Sequence, residues 1–372
     1  MRLDRLRLYD FRNYEHLDAE FVPGVNLLVG DNAQGKTNLL EAIGYLSTGR
    51  SFRTAKPQEL IRFGAEFCDL QAEITGAARE QTLRAVLFAA RRPRQLYIGG
   101  VKQKSAAGLS GVLTTVLFCP EELQVLRGGA AGRRRLIDTA LCQLRPAYAA
   151  ALAEYGRLQE QKSRILKDCA VMPSLLEPLP EYNYRMAQVG AVLIEYRARY
   201  LCALEEAAEA YHREFSGGRE QLRLRYQTVS TIDDPFAPRK ELFEAILLHQ
   251  ERHYRAELDS GQCLTGPHKD DFEASIDEKP VKSFASQGQT RTASISLKLA
   301  ERELLRRDTG EEPVLLLDDV LSELDARRQD FVLNQIRSGQ VLITCCEPER
   351  ITNIGKRIFV EGGQIREEAS CT

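Results

Sequence analysis

Val25-Asn26-Leu27-Leu28-Val29 followed by Gly30-Asp31-Asn32-Ala33-Gln34-Gly35-Lys36-Thr37 and then Asn38-Leu39-Leu40-Glu41-Ala42-Ile43 decides how this chain folds. The first run is short and apolar, as a buried strand requires, and the last has helical composition and period. Between them Gly30–Thr37 fits G-x-x-x-x-G-K-[ST] without a mismatch. Glycine lets the backbone curl until successive N–H groups point at one anion, and the helix behind adds its N-terminal dipole. Lys36 is placed to neutralise β- and γ-phosphate charge, and the Thr37 hydroxyl to ligate Mg²⁺. A surface turn could match the pattern by chance. A strand before it and a helix after it favour a phosphate loop in which Gly30, Asp31, Asn32, Ala33, Gln34, Gly35, Lys36 and Thr37 hold ATP.

Such a loop calls for acids nearby. Val314–Leu317 is a hydrophobic run that ends in Asp318 and Asp319. On a central strand Asp318 would reach the metal, and Asp319 would align or deprotonate water. Lys36, Asp318 and Asp319 are therefore the candidate catalytic residues, with Thr37 and Asp318 on the metal. Alone, the run would read as an ordinary buried strand with a polar exit. Ser286-Gln287-Gly288-Gln289 opens a helical run, Thr290–Arg306, where Ser286, Gly288 and Gln289 form either a second anion site or a plain N-cap. Ser322-Glu323-Leu324-Asp325 reads as an interface loop, as a capping box with Asp325 as cap, or as both.

The remaining chain supplies a frame. Residues 1–29 and 61–118 alternate in short runs, such as Leu83–Phe88 and Gln95–Ile98, with Gly99-Gly100 as a hairpin turn. From Glu121 to Arg213 the period is helical. Three prolines between Met172 and Pro180 interrupt it, and Ser216-Gly217-Gly218 ends it. This predicts two long helices folded into an antiparallel arm. Nine basic and ten acidic residues in 140–215 make it a solvated pair, not a basic rod. Residues 221–229 read as a strand, Asp233-Asp234-Pro235 as the cap of a helix over Pro238–Leu258, and Val341–Thr344 as a parallel strand. Helices are also expected over Arg291–Arg307 and Ala326–Arg337.

Bulk composition excludes more than it selects. Charged residues at 28% and hydrophobic residues at 43% describe a globular chain, and a net charge of −2 leaves any nucleic-acid contact to a local patch. Arg91-Arg92-Pro93-Arg94 and Arg133-Arg134-Arg135 are the candidate patches, or else solvated clusters. No run is long and apolar enough for a membrane helix, and the N-terminus has no signal-peptide character, so a cytoplasmic protein is expected. Nine scattered cysteines without a C-x-x-C pair read as reduced, mostly buried thiols.

Taken together, these motifs resemble the RecF family of bacterial recombination-mediator ATPases, whose heads are similar to those of SMC proteins and ABC transporters. The likeness is carried by Phe11-Arg12-Asn13-Tyr14, Gly30–Ile43, Pro120-Glu121-Glu122-Leu123, Arg133–Asp138, Gly266-Pro267-His268-Lys269-Asp270-Asp271, Phe284–Gln289 and Leu316–Asp325. It implies an α/β fold: an ABC-type P-loop ATPase head over 1–120 plus 263–372, with an antiparallel helical arm inserted over 121–262. It implies an ATP-dependent homodimer in which the partner's Ser286, Gly288 and Gln289 close over the γ-phosphate. It further implies binding to gapped and duplex DNA in recombinational repair, replication restart and the SOS response, with RecR and RecO as partners and RecA loaded indirectly. The sequence departs from the family where Ala130 replaces Pro, Leu136 an aromatic and Lys269 an Arg. Asp319 stands where most ABC heads have Glu, and no His follows Val341–Thr344, where Thr344 or a neighbour sits. Both departures point to slow, weak hydrolysis, a switch more than a motor, and the resemblance implies that DNA stimulates it. A transporter ATPase would show the His and a shorter insert, an SMC tether would carry hundreds of residues of heptads, and a scaffold that binds no nucleotide would not need Lys36 and Thr37.

Overall fold

The computed structural model describes residues 1–367 apart from 91, 337 and 347–354. Contacts divide the chain into two compact units, Met1–Gln124 with Arg291–Thr372, and Val125–Thr290.

The first unit opens with β1 (Arg2–Phe11), β2 (Tyr14–Glu20), β3 (Val25–Val29), α1 (Lys36–Thr48), β4 (Phe67–Thr75), β5 (Glu80–Phe88), β6 (Gln95–Ile98), β7 (Val101–Gln103), β8 (Thr115–Phe118) and α2 (Pro120–Leu123). The second unit holds α3 (Ala130–Leu144), α4 (Pro146–Asp168), α5 (Leu179–Ser216), β9 (Leu222–Gln227), α6 (Arg239–Ser260), β10 (Asp271–Ile276), β11 (Lys279–Pro280) and α7 (Val281–Phe284). The chain continues through α8 (Gln287–Thr309), β12 (Val314–Leu317), α9 (Ala326–Gln335), β13 (Val341–Cys345), β14 (Lys356–Glu361) and β15 (Gln364–Glu367).

Two sheets build the first unit. One is antiparallel, in the order β2-β1-β4-β5-β6-β7. Gly99 and Gly100, at φ 54° and 78°, make its last hairpin turn, a backbone region that glycine enters without strain. The other runs β15-β14-β3-β13-β12-β8, parallel from β14 to β8. Its central strands are apolar at nearly every position because both faces are covered. Leu39, Leu40, Ile43, Tyr45 and Leu46 of α1 join one core with Leu6 and Leu70 of the first sheet and Leu28, Val314, Leu316 and Leu342 of the second. This covering fixes where β3, β12 and β13 end, and therefore where the polar residues behind them emerge.

In the second unit α5 alone has 38 residues, roughly 57 Å of helix. It ends on Gly217, left-handed at φ 65°. Several sequence expectations are corrected here. Pro180 does not break the helix but sits in the first turn of α5, where a missing N–H costs nothing. Asp234 does not cap α6, because its side chain accepts from Phe236 N in a turn and Pro238 occupies the cap. Residues 263–290 contact the second unit, where 263–372 had been expected to return to the head, because β10 pairs along its whole length with β9. Among the described residues Cys68, Cys119, Cys169 and Cys263 are buried, while Cys202 and Cys346 are exposed, so burial holds for only part of the set. Cys371 and Arg337 lie outside the described residues. No described helix is long and apolar enough to cross a membrane.

Candidate functional site

The loop between β3 and α1 owes its curvature to two glycines with no room for a side chain. A Cβ on Gly30 would come 2.2 Å from the Val360 carbonyl of β14, and one on Gly35, at φ 122°, would meet Asn13 and Tyr14 at 2.8 Å. Lys36 folds back across the loop, its Nζ donating to the carbonyls of Gly30 at 2.5 Å and Asp31 at 2.8 Å. Cys346 Sγ lies 3.5 Å from the same ammonium.

The N-terminal Phe11-Arg12-Asn13-Tyr14 turns out to be the brace for this loop. Phe11 is buried in the core. Arg12 pairs with the fully buried Glu41 of α1 at 2.8 Å. Asn13 Nδ2 donates to Gln34 O at 2.9 Å, and Asn13 Oδ1 accepts from Asn38 Nδ2 at 2.8 Å. Tyr14 hydroxyl donates to Gly35 O at 3.0 Å, and burial pushes its pKa far up. From the other side Gly362 N and Gly363 N donate to Gln34. A loop held at this many points keeps its amides in place before any anion arrives.

Asp318 and Asp319 leave β12 beside the end of β13, and Thr344 on β13 ties them together. Thr37 and Thr344 hydroxyls both donate to Asp318 Oδ1, at 2.8 and 3.0 Å. The Thr344 oxygen also accepts the Asp319 N–H at 2.8 Å. Asp319 is held at φ 51°, a left-handed backbone that a non-glycine residue adopts at some cost and that clusters at functional sites. Ser322 hydroxyl closes the turn against Asp319. Burial pushes the Asp318 carboxyl above the ordinary range, against the bonds from Thr37 and Thr344 that pull it down. Asp318→Asn keeps an acceptor for both hydroxyls and removes the buried charge. The variant is therefore expected to melt no lower than the parent in differential scanning calorimetry; a large loss of Tm would show that the carboxylate serves the fold.

These groups line a cavity of about 340 Å³ with residues 32–38, Arg53 and Cys346. A larger hollow of about 720 Å³ lies beside Arg2, Thr75 and Gly99. Size does not make it the site, because the loop, the ammonium and the two acids converge on the smaller cavity. Arg53, bonded to Asn38 Oδ1 at 2.7 Å, was not singled out from sequence. Its distance from the loop in the chain hides it, and only the bend after α1 returns it.

The other candidates lie elsewhere. Ser286 and Gln289 form a reciprocal capping box at the start of α8: Ser286 N donates to Gln289 Oε1 at 2.9 Å, and Gln289 N to Ser286 Oγ at 3.1 Å. Gly288 sits in the same turn. This box is why α8 begins earlier than Thr290. Asp325 caps α9 by accepting from Arg328 N. The Arg133–Arg135 cluster does not survive as a patch. Arg133 is buried, paired with Asp271 at 2.7 Å and donating to Gly128 O at the same distance. Arg134 donates to Asp270 O at 2.6 Å, leaving Arg135 as the exposed member. In the other cluster Arg94 is half-buried and donates to Tyr45 Oη at 2.9 Å and to Gly49 O. Arg92 is exposed with its guanidinium 4.5 Å from the Phe88 ring centre, and Arg91 lies outside the described residues.

Residues 2–364 match the family model described as RecF/RecN/SMC N terminal domain. A DNA replication and repair protein RecF of Symbiobacterium thermophilum is 40% identical over 94% of this chain and 92% of its own. A recombination mediator protein RecF solved as RecF-ATPrS is similar at TM-score 0.91 and 30% identity, over 99% of this chain and 98% of that one. One solved as RecF-ATP is similar at TM-score 0.88 and 31% identity, over 99% and 97%.

Proposed function

The chain belongs to the RecF/RecN/SMC family and is similar to RecF along nearly its whole length, and from that premise we propose that it is a DNA replication and repair ATPase whose two copies close on ATP. The observation that carries this reading is the cavity where Lys36, Thr37, Asp318 and Asp319 converge on one braced loop. In it the first unit is the ATPase head and the second the inserted arm.

The chemistry follows from what each group can do. The amides of residues 30–37 and the dipole of α1 hold the β-phosphate, and Lys36 balances β/γ charge. Thr37 and Asp318 offer hard oxygen donors that share one hydrogen bond, a set that suits Mg²⁺. A cation there would also relieve the charge that burial penalises on Asp318. Held by Thr37 and Asp318, Mg²⁺ would supply positive charge beside the phosphates. Asp319, clamped by Thr344 and Ser322, orients or deprotonates water from a fixed place. Ser286, Gly288 and Gln289 of a second copy cover the γ-phosphate. Only the triphosphate supplies that contact, so nucleotide state sets the dimer population. Asp319 is one methylene shorter than Glu, and no His follows β13 in the sequence. Hydrolysis is therefore weak, and DNA stimulates it by favouring the closed dimer. RecR and RecO are the expected partners, with RecA loaded indirectly.

Light scattering tests the core of this. Saturating ATP or a slowly hydrolysed analogue with Mg²⁺ doubles the mass, and ADP does not. A mass indifferent to nucleotide would end the two-copy reading. Gel shifts on gapped, duplex and single-stranded DNA under the same three nucleotides then rank the DNA form the dimer retains. Arg92 and Arg135 are the members of the two clusters to reverse in charge, since Arg133 is committed to Asp271.

A further inference from the structure

The signature segment is not held by its own helix turn alone. Gln289 Nε2 donates to Glu220 Oε1 at 2.9 Å. The other Glu220 oxygen, Oε2, meets His212 Nε2 at 3.1 Å. His212 is fully buried in α5, immediately before Arg213, whose carbonyl accepts from Gly218 N to finish that helix, and burial lowers its pKa while Glu220 opposes the shift. Glu220 thus bridges the last turns of the long helix α5 and the first turn of α8.

Its carboxylate cannot easily move away. Arg219 Nε donates to Ser216 O at 2.9 Å, Gln221 N to Asp277 Oδ1 at 2.9 Å, and Leu222 N to Glu209 Oε2 at 2.6 Å. These bonds pin the short connection from α5 to β9 on both sides of residue 220. The orientation of the Gln289 amide is equally determined. Ser286 N–H can only donate, so it must face the amide oxygen; Glu220 as a carboxylate can only accept, so it must face the amide nitrogen. With both ends of the amide engaged and Ser286 Oγ accepting from Gln289 N, the exposed Ser286 hydroxyl oxygen is held at the start of α8 and keeps its own hydrogen to donate.

We propose that Glu220 is a positioning residue for the trans-acting signature: it fixes Gln289, and through it Ser286, and ties their placement to the end of the arm helix α5. This rests on the two-copy reading above. Glu220 touches no nucleotide in it, and its effect is confined to how well one copy closes on the ATP of the other.

Three measurements on the full chain test this. Binding of a fluorescent ATP analogue to the dilute protein reads the phosphate loop of one copy, light scattering with ATP and Mg²⁺ reads closure, and amide hydrogen exchange over residues 286–290 reads the cap itself. Glu220→Ala is expected to leave analogue affinity unchanged, to raise the concentration for half-dimerisation about tenfold, as for loss of one hydrogen bond to a charged group, and to speed exchange at Gln289 and Thr290. Glu220→Gln, which keeps an acceptor for Gln289, recovers most of both effects and serves should the alanine variant fail to fold. Parent-like dimerisation and exchange in Glu220→Ala would overturn the proposal. If the parent itself does not dimerise with ATP, the two-copy reading falls, and the exchange data still decide whether Glu220 holds the cap.

Discussion

Lys36→Ala lowers ATP affinity about a hundredfold, as loss of roughly 2–3 kcal/mol of charge-assisted bonding would give, and leaves the fold standing. The two halves of that expectation have separate causes. The ammonium lies across the mouth of the loop, bonded to the carbonyls of Gly30 and Asp31 at the edge of the cavity. Without it the β- and γ-phosphates face those carbonyls and two carboxylates. The fold does not depend on it. The loop's shape comes from Gly30 against Val360, Asn13 and Tyr14 against Gln34 and Gly35, and the buried face of α1. Carbonyls released at a cavity wall reach water at little cost. Isothermal titration with ATP and Mg²⁺ reads the first half, and thermal unfolding the second. Lys36→Arg is no rescue, because a planar guanidinium is larger than the compact ammonium it replaces. Unchanged affinity in Lys36→Ala would remove the phosphate-loop assignment altogether.

Arg197→Ala costs about 3–5 kcal/mol and unravels the second unit first. Arg197 on α5 is 2% exposed and spends its whole guanidinium inside the protein. It donates to Asp138 at 2.9 and 3.0 Å, to Pro267 O at 2.6 Å and to Asp270 Oδ2 at 3.3 Å. Asp270 also accepts from Thr228 at 2.8 Å and from Tyr226. This network explains Gly266–Asp271 as a structural keystone: Pro267 and Asp270 receive the arginine, Asp271 receives Arg133, and His268 bonds Tyr155 at 3.0 Å. Removing Arg197 leaves a buried carboxylate with no cation, which is the expensive case.

The pH dependence has a definite sign. Burial already pushes the Asp270 carboxyl up despite Arg197, Tyr226 and Thr228. A carboxyl raised in the folded state favours folding when protonated, and that contribution is lost as pH rises through its folded pKa. Without Arg197 the folded value climbs further. The deficit of the variant is therefore largest at neutral pH and narrows on acidification. Urea unfolding followed by circular dichroism, dominated by α3–α6, checks it. A deficit that widens toward acid would mean that Asp270 is not the stranded group.

The two Arg clusters show where a linear reading stops. Consecutive residues on a helix point about 100° apart, so three arginines in a row at 133–135 could not all share one solvent face. That signal was present in the sequence, and the partner Asp271, far along the chain, was not. Thr344 is a similar case. It could be seen to stand where a switch residue stands elsewhere, but its two bonds to Asp318 and Asp319 exist only because β13 lies parallel to β12 in one register.

The sequence by itself located the glycine loop between β3 and α1, the acids at the end of β12 and the helix start at Ser286, while of the two long helices expected over 121–213 the first is divided at Pro146 into α3 and α4. Each of these is local: a contiguous pattern fixes its backbone, and glycine, proline, capping residues and apolar period act within a few residues of where they stand. Tertiary structure decided which cations are spent inside, what braces the loop, and which carboxylate is desolvated. Those outcomes depend on burial and on partners such as Asn13 with Gln34, Arg12 with Glu41 and Glu220 with Gln289. Charge and hydrogen-bond energies change several-fold with dielectric and distance, and both are set only when distant segments meet.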